Sequence, residues 1–152
     1  HKSIKIFKRV RTADINIFGA VVSSELAENN DTVPIFSPGD NIHAMGTCDA
    51  TTADERGYPK AFDVPTLTIN NILDLAPNKE IDFLNIDIEG LDQAVLTEID
   101  FNIFSPKVIC IEDYANDVSA ALSSTITTKL ISAGYSMKAR VGPSSIFQLN
   151  SM

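Results

Sequence analysis

Two short apolar runs in this 152-residue sequence end in acids: residues 81–88 (IDFLNIDI) lead into Asp87, Glu89 and Gly90, and residues 108–111 (VICI) lead into Glu112 and Asp113. In open α/β sheets ligands bind beyond the carboxyl ends of the strands. If the two runs are neighbouring strands, their carboxylates converge on one rim. A carboxylate there could act as general base on a hydroxyl, its pKa raised by its neighbours. A pair could hold a hard divalent ion such as Mg²⁺, or hydrogen-bond a sugar or an amine. The structural alternative is that Asp87 or Glu89 caps the following helix while Glu112 and Asp113 are solvated loop acids. Asp87, directly after a buried strand, has the strongest claim to a chemical role.

His43 is the only internal histidine, and it lies beside Met45 and Gly46 in a stretch with little periodicity. It is a candidate substrate contact, with an exposed or packed side chain as the plainer reading. One internal histidine and no Cys–His spacing speak against zinc. There is no GxSxG, P-loop or HExxH pattern to support a hydrolase or a nucleotide triphosphatase. Cys48 and Cys110 are far apart and make no metal-spaced motif, so a reducing, cytoplasmic setting is the default expectation.

The elements that must position these residues follow from the hydrophobic pattern. Residues 15–22 (INIFGAVV) read as a buried strand, and residues 32–36 as a short one that Pro34 confines to a sheet edge. Residues 39–60 read as a long loop, and loops of that length are usually functional; here it would be a substrate lid. Residues 64–69 read as a strand that Pro65 places at an edge or a strand start, followed by a short helix capped by Asn70 or Asn71 and stopped by Pro77. In residues 81–88, Ile81, Phe83 and Asn85 alternate with Asp82, Leu84, Ile86 and Ile88. The run turns apolar on both faces near its middle, as a central parallel strand does. Leu91, Val95, Leu96 and Ile99 then recur at helical spacing, with Asp92 in the first turn. Residues 108–111 form a second strand core. Asn116 or Asp117 caps a helix with the stripe Val118, Leu122, Ile126 and Leu130, ended by Gly134. Residues 135–141 and 145–149 are two strands joined around Gly142-Pro143. The alternation predicts one α/β domain with a mostly parallel, Rossmann-like sheet, helices on both faces, and a terminal antiparallel hairpin.

Composition narrows the function classes. The chain is 44% apolar and 21% charged, a globular balance for one domain. A net charge of −8 argues against a nucleic-acid partner. The local exception is Lys2, Lys5, Lys8, Arg9 and Arg11, an acid-free basic cluster read as a solvated helix or strand face rather than a phosphate or membrane patch. No run approaches a membrane span.

Residues 64–112 carry a three-part resemblance. VPTLTINNIL, IDFLNIDIEGLDQAVL and SPKVICIE together resemble the FkbM family of methyltransferases. The matching positions are Val64, Thr66 and Leu67; Asp87, Glu89, Gly90, Asp92, Val95 and Leu96; and Pro106, Lys107, Ile109 and Glu112. Asp92 stands where glutamate is more usual. Ala20, Val21 and Ser23 are similar to the end of a further family strand.

The resemblance implies a Rossmann-like fold that uses S-adenosylmethionine to methylate oxygen, often on sugars or glycosylated metabolites. It makes Asp87, Glu89 and Glu112 the catalytic candidates and Ala20, Val21, Ser23 and Asp87 the candidates for cofactor contact. It also implies a glycine-rich loop before the second strand that this sequence does not show. The expectation is therefore an N-terminally truncated domain that alone binds the cofactor weakly or not at all. The rival is a degenerate, non-catalytic module binding a glycan or a partner protein. A third reading has a second copy complete the sheet through exposed strand edges.

Overall fold

A computed structural model describes residues 2–39 and 45–151 of the chain. His43 and its neighbours lie outside the described residues, so the substrate contact expected there is not placed. The elements run α1 (Lys2–Val10), β1 (Ala20–Val21), α2 (Ser24–Asn29), β2 (Thr32–Phe36), α3 (Ala50–Arg56), β3 (Lys60–Leu67), α4 (Ile69–Leu73), a 3₁₀ turn (Pro77–Lys79), β4 (Phe83–Ile86), α5 (Asp92–Thr97), β5 (Val108–Glu112), α6 (Val118–Leu122), α7 (Thr125–Ser132), β6 (Tyr135–Val141) and β7 (Ser144–Leu149).

The α/β class and the terminal hairpin stand, but the single, mostly parallel sheet does not. Two mixed sheets form, one ordered β1-β3-β2 and the other β4-β5-β7-β6. Only β1–β3 and β4–β5 are parallel; β2–β3, β5–β7 and β6–β7 are antiparallel.

The larger sheet holds most of the core on one face. Ile86, Ile109, Ile111, Tyr135 and Phe147 are buried there under α4, α5 and α7, which contribute Ile69, Leu73, Val95, Leu96, Ile126 and Leu130. β5 alternates half-buried and buried positions along its length, the signature of a sheet packed on one side. The expectation of helices on both faces fails for this reason. β4 is also an end strand among the described residues rather than a central one, and Phe83 on its other face is 58% exposed.

In the smaller sheet Pro34 sits on the outer strand, as its missing N–H requires. Pro65 lies on the central strand β3, against expectation. The Thr66 amide donates to Asp31, so the neighbouring Pro65 nitrogen faces the β1 side. There β1 begins pairing only at Ala20 opposite Thr66, so no ladder bond is lost.

Three other expectations are corrected by local hydrogen bonds. The expected strand over residues 15–22 shrinks to Ala20–Val21, and Ile15 is 70% exposed. Thr68, not Asn70 or Asn71, caps α4; its hydroxyl accepts from the Asn71 amide, and the Asn71 side chain returns the bond to the Thr68 amide. The single helix expected after Asp117 is two. Asp117 caps α6, Ser124 caps α7, and the Thr127 hydroxyl donates to the Ala121 carbonyl across the break.

The two sheets are joined by specific contacts. Ser24 donates from both its amide and its hydroxyl to the Glu98 carboxylate at 2.7–3.0 Å, fastening the start of α2 to the end of α5. Leu91 packs against both hydrophobic clusters.

Candidate active site

The parallel register of β4 and β5 sets Ile86 beside Ile111, and the chain beyond them carries Asp87 and Glu112. The two carboxylates meet at the same rim, as the pattern predicts. Asp87 is exposed, and no hydrogen-bond donor reaches its side chain among the described residues. Partial desolvation pushes its carboxyl above the usual range, and the negative charges of Glu112, Glu89 and Asp92 push it the same way.

The turn after β4 is held by its own side chains. Glu89 takes a left-handed backbone conformation with φ 53°, and Gly90 has φ 111°. Asp92, buried at the start of α5, accepts from the Ile88 amide at 3.2 Å and the Gly90 amide at 3.3 Å. Its sequence reading as a dipole-favoured acid is therefore incomplete, because its main work is bracing this turn.

The opposite side of the turn is covered by a segment read from sequence as loop. Residues 45–58 carry a bridge between Phe36 and Thr47 and the helix α3. Asp49 caps α3 by accepting from the Thr52 amide, and Gly57 closes it in the left-handed conformation. The Asp–x–x–Thr start and the Arg56-Gly57 end were the available signals. They were masked because Ala53 is the helix's only buried residue, so no apolar stripe marks it.

From this segment the Thr47 hydroxyl donates to the Glu89 carbonyl at 2.6 Å, and the Arg56 guanidinium donates to the Glu89 carboxylate at 2.6 Å. Tyr114, just beyond β5, donates from its hydroxyl to Glu112. That bond, with burial, pushes its phenol up to about 12.

Gly90 approaches α3 so closely that an added Cβ would lie 2.6 Å from the Thr52 hydroxyl. Gly90→Ala is expected to cost about 1–3 kcal/mol, from the unfavourable φ and the clash together. Chemical denaturation of Gly90→Ala and of Gly90→Ala/Thr52→Ala checks this. The double variant should recover only the steric share.

A hollow of about 450 Å³ beside the rim is lined by Gly90, Asp92, Glu112, Asp113 and Tyr114, with Ser124 and Thr125 from the start of α7. Asp113 is buried, with one carboxylate oxygen accepting from the Ala115 amide. The described residues hold no cluster of three or more histidine, cysteine, aspartate or glutamate side chains suited to a metal ion.

The cofactor-contact candidates lie elsewhere. Ala20 is buried, Val21 is half-buried against the larger core, and the Ser23 hydroxyl accepts from the Leu26 amide as the cap of α2. The hollow of about 460 Å³ that Ser23 lines is shared with Glu25, Leu26, Asn29 and Asn30 and includes none of the rim carboxylates.

Residues 14–137 match the family signature described as the methyltransferase FkbM domain. The chain belongs to the FkbM methyltransferase family. No individual curated protein and no solved structure matches it to a significant degree. The FkbM match spans both sheets from β1 into β6, so the rim carboxylates and the α3 cover lie within the family domain. No helix among the described residues is long and apolar enough to cross a membrane.

Proposed function

We propose that this FkbM domain serves S-adenosylmethionine-dependent O-methylation of a small-molecule hydroxyl, with a sugar or glycosylated metabolite as the acceptor class. One observation carries the reading. Asp87 stands at the strand-end rim free of donors among the described residues, with its basicity increased by its surroundings.

The rim chemistry fits the charged end of the cofactor. Asp87, Glu89, Asp92 and Glu112 concentrate negative charge, countered in this cluster by Arg56, and a cationic sulfonium is favoured there. When bound, S-adenosylmethionine supplies the electrophilic methyl group.

The chain's own residues orient the acceptor and handle its proton. Asp87 accepts the hydroxyl proton on its carboxylate oxygen as the acceptor oxygen attacks. Glu89 and Glu112 line the position of the acceptor, and Tyr114 steadies Glu112 through its hydrogen bond. Positioning of the acceptor oxygen in line with the methyl carbon provides the larger share of the acceleration. The rim carboxylates, without a metal ion, are sufficient for this role. Free thiols at Cys48 and Cys110 accord with a cytoplasmic setting.

The test is methyl transfer by the gene product containing these residues, incubated with methyl-labelled S-adenosylmethionine and a panel of hydroxyl-bearing sugars and glycosides. Mass spectrometry should detect a methyl ether. Products methylated only on nitrogen or sulfur would overturn the oxygen assignment.

A further inference from the structure

Arg56 is the residue of the α3 cover that enters the acidic rim. Its guanidinium pairs with the Glu89 carboxylate at 2.6 Å with the two side chains 29% and 18% exposed, so the pair is shielded more than a surface ion pair. Glu89 raises the affinity of Arg56 for its proton, and the Tyr114 hydroxyl interacts with the same guanidinium. Tyr114 in turn donates to Glu112. A chain of contacts therefore runs from the β4 end, through Glu89, Arg56 and Tyr114, to Glu112 at the β5 end. Asp87 is the rim carboxylate this chain leaves without a hydrogen-bond partner among the described residues.

We propose that Arg56 is a positioning residue of the site: it ties the β4 and β5 ends together through Glu89 and Tyr114, engages Glu89, and leaves Asp87 as the carboxylate that meets the acceptor. The proposal rests on the methyl-transfer reading for its chemistry but not for its geometry. The guanidinium suits this place because its fork can serve two partners at once. A lysine would keep the charge and lose the second contact. Placing the residue on α3 also makes closure of residues 45–58 over the turn a condition for a properly arranged rim, since Thr47 and Arg56 both seize Glu89.

The groups facing Asp87 are Glu89 and Asp92 from its own turn and helix, and Glu112 and Cys110 from β5. Arg56 and Tyr114 act one step further out. Removing the Arg56 charge leaves that cluster more negative, so the Asp87 proton is held more tightly.

The experiment is a ¹³C-carboxyl NMR titration of Asp87 in the 152-residue chain and in Arg56→Gln, Arg56→Lys and Glu89→Gln. Methyl transfer by the same variants in the full gene product is followed in parallel. Arg56→Gln should raise the Asp87 midpoint by about 0.5–1 pH unit, on the scale of one unscreened charge a few ångströms away. Arg56→Lys should leave it near the parent value, and Glu89→Gln should lower it. In the assay, kcat should fall in Arg56→Gln, recover partly in Arg56→Lys, and leave KM for the cofactor unchanged.

An Asp87 midpoint unmoved in folded Arg56→Gln overturns the proposal. If Arg56→Gln fails to fold, an unmoved midpoint in Glu89→Gln overturns it instead. Shifted midpoints without methyl transfer by any protein would uphold the Arg56 assignment and sink the proposed function alone.

Discussion

Replacing Asp87 by asparagine should reduce methyl transfer by about 10²- to 10⁴-fold, the range a positioned general base contributes. In barrier terms this is about 3–5 kcal/mol. The substitution is nearly isosteric, and Asp87 is exposed and without a donor among the described residues, so the fold has little reason to respond. The loss should appear in kcat, with the KM for S-adenosylmethionine changed little, because the proton is moved only as the acceptor reacts.

The pH profile gives the same prediction a second face. A base works in its deprotonated form. Desolvation and the charges of Glu112, Glu89 and Asp92 lift Asp87 above the usual carboxylate range. The acid limb of the rate should therefore lie above that range, with activity rising as pH passes through the raised value, and the limb should vanish from the residual activity of Asp87→Asn. Undiminished turnover in that variant would remove Asp87 from the reaction.

The second large effect is on stability. Phe147→Ala should destabilise the chain by about 3–5 kcal/mol, the cost of deleting a fully buried ring. Phe147 is 0% exposed on β7, flanked in register by Ile109 of β5 and Met137 of β6. Its loss hollows the core where three strands meet. For a chain of this length the melting temperature should fall by roughly 10 °C, read by calorimetry. Phe83→Ala is the control. The same side chain on β4 is 58% exposed, and its removal should stay within about 0.5 kcal/mol.

Residue pattern foretold the parts of this structure that depend on neighbours in sequence. β2, β5, β6 and β7 lie close to their expected limits because alternation and turn residues mark them. The rim is legible for the same reason: two apolar runs ending in acids need only be adjacent and parallel for Asp87 and Glu112 to meet, and they are. Sheet membership was not legible. Residues 81–88 look apolar enough for a strand covered on both sides, yet Phe83 and Asn85 face outward, because coverage depends on which helices return to which face. Pro65 misled because its effect depends on where the neighbouring strand begins, a fact of pairing rather than of residue type. Arg56 was invisible as a site residue. Its partner Glu89 is 33 positions away, and no local pattern ties a helix-ending arginine to a distant turn.

Leu91 gives the rim a mechanical address. The residue directly after the Glu89-Gly90 turn is rooted in the packing of both sheets, while Thr47 and Arg56 grip the turn from the segment that leads into β3. Sliding or tilting of one sheet on the other would therefore pull on the backbone that aims the acids. Their spacing reports how the halves of the molecule are seated, and a ligand that wedges or clamps the seam would retune the proton chemistry without touching a carboxylate.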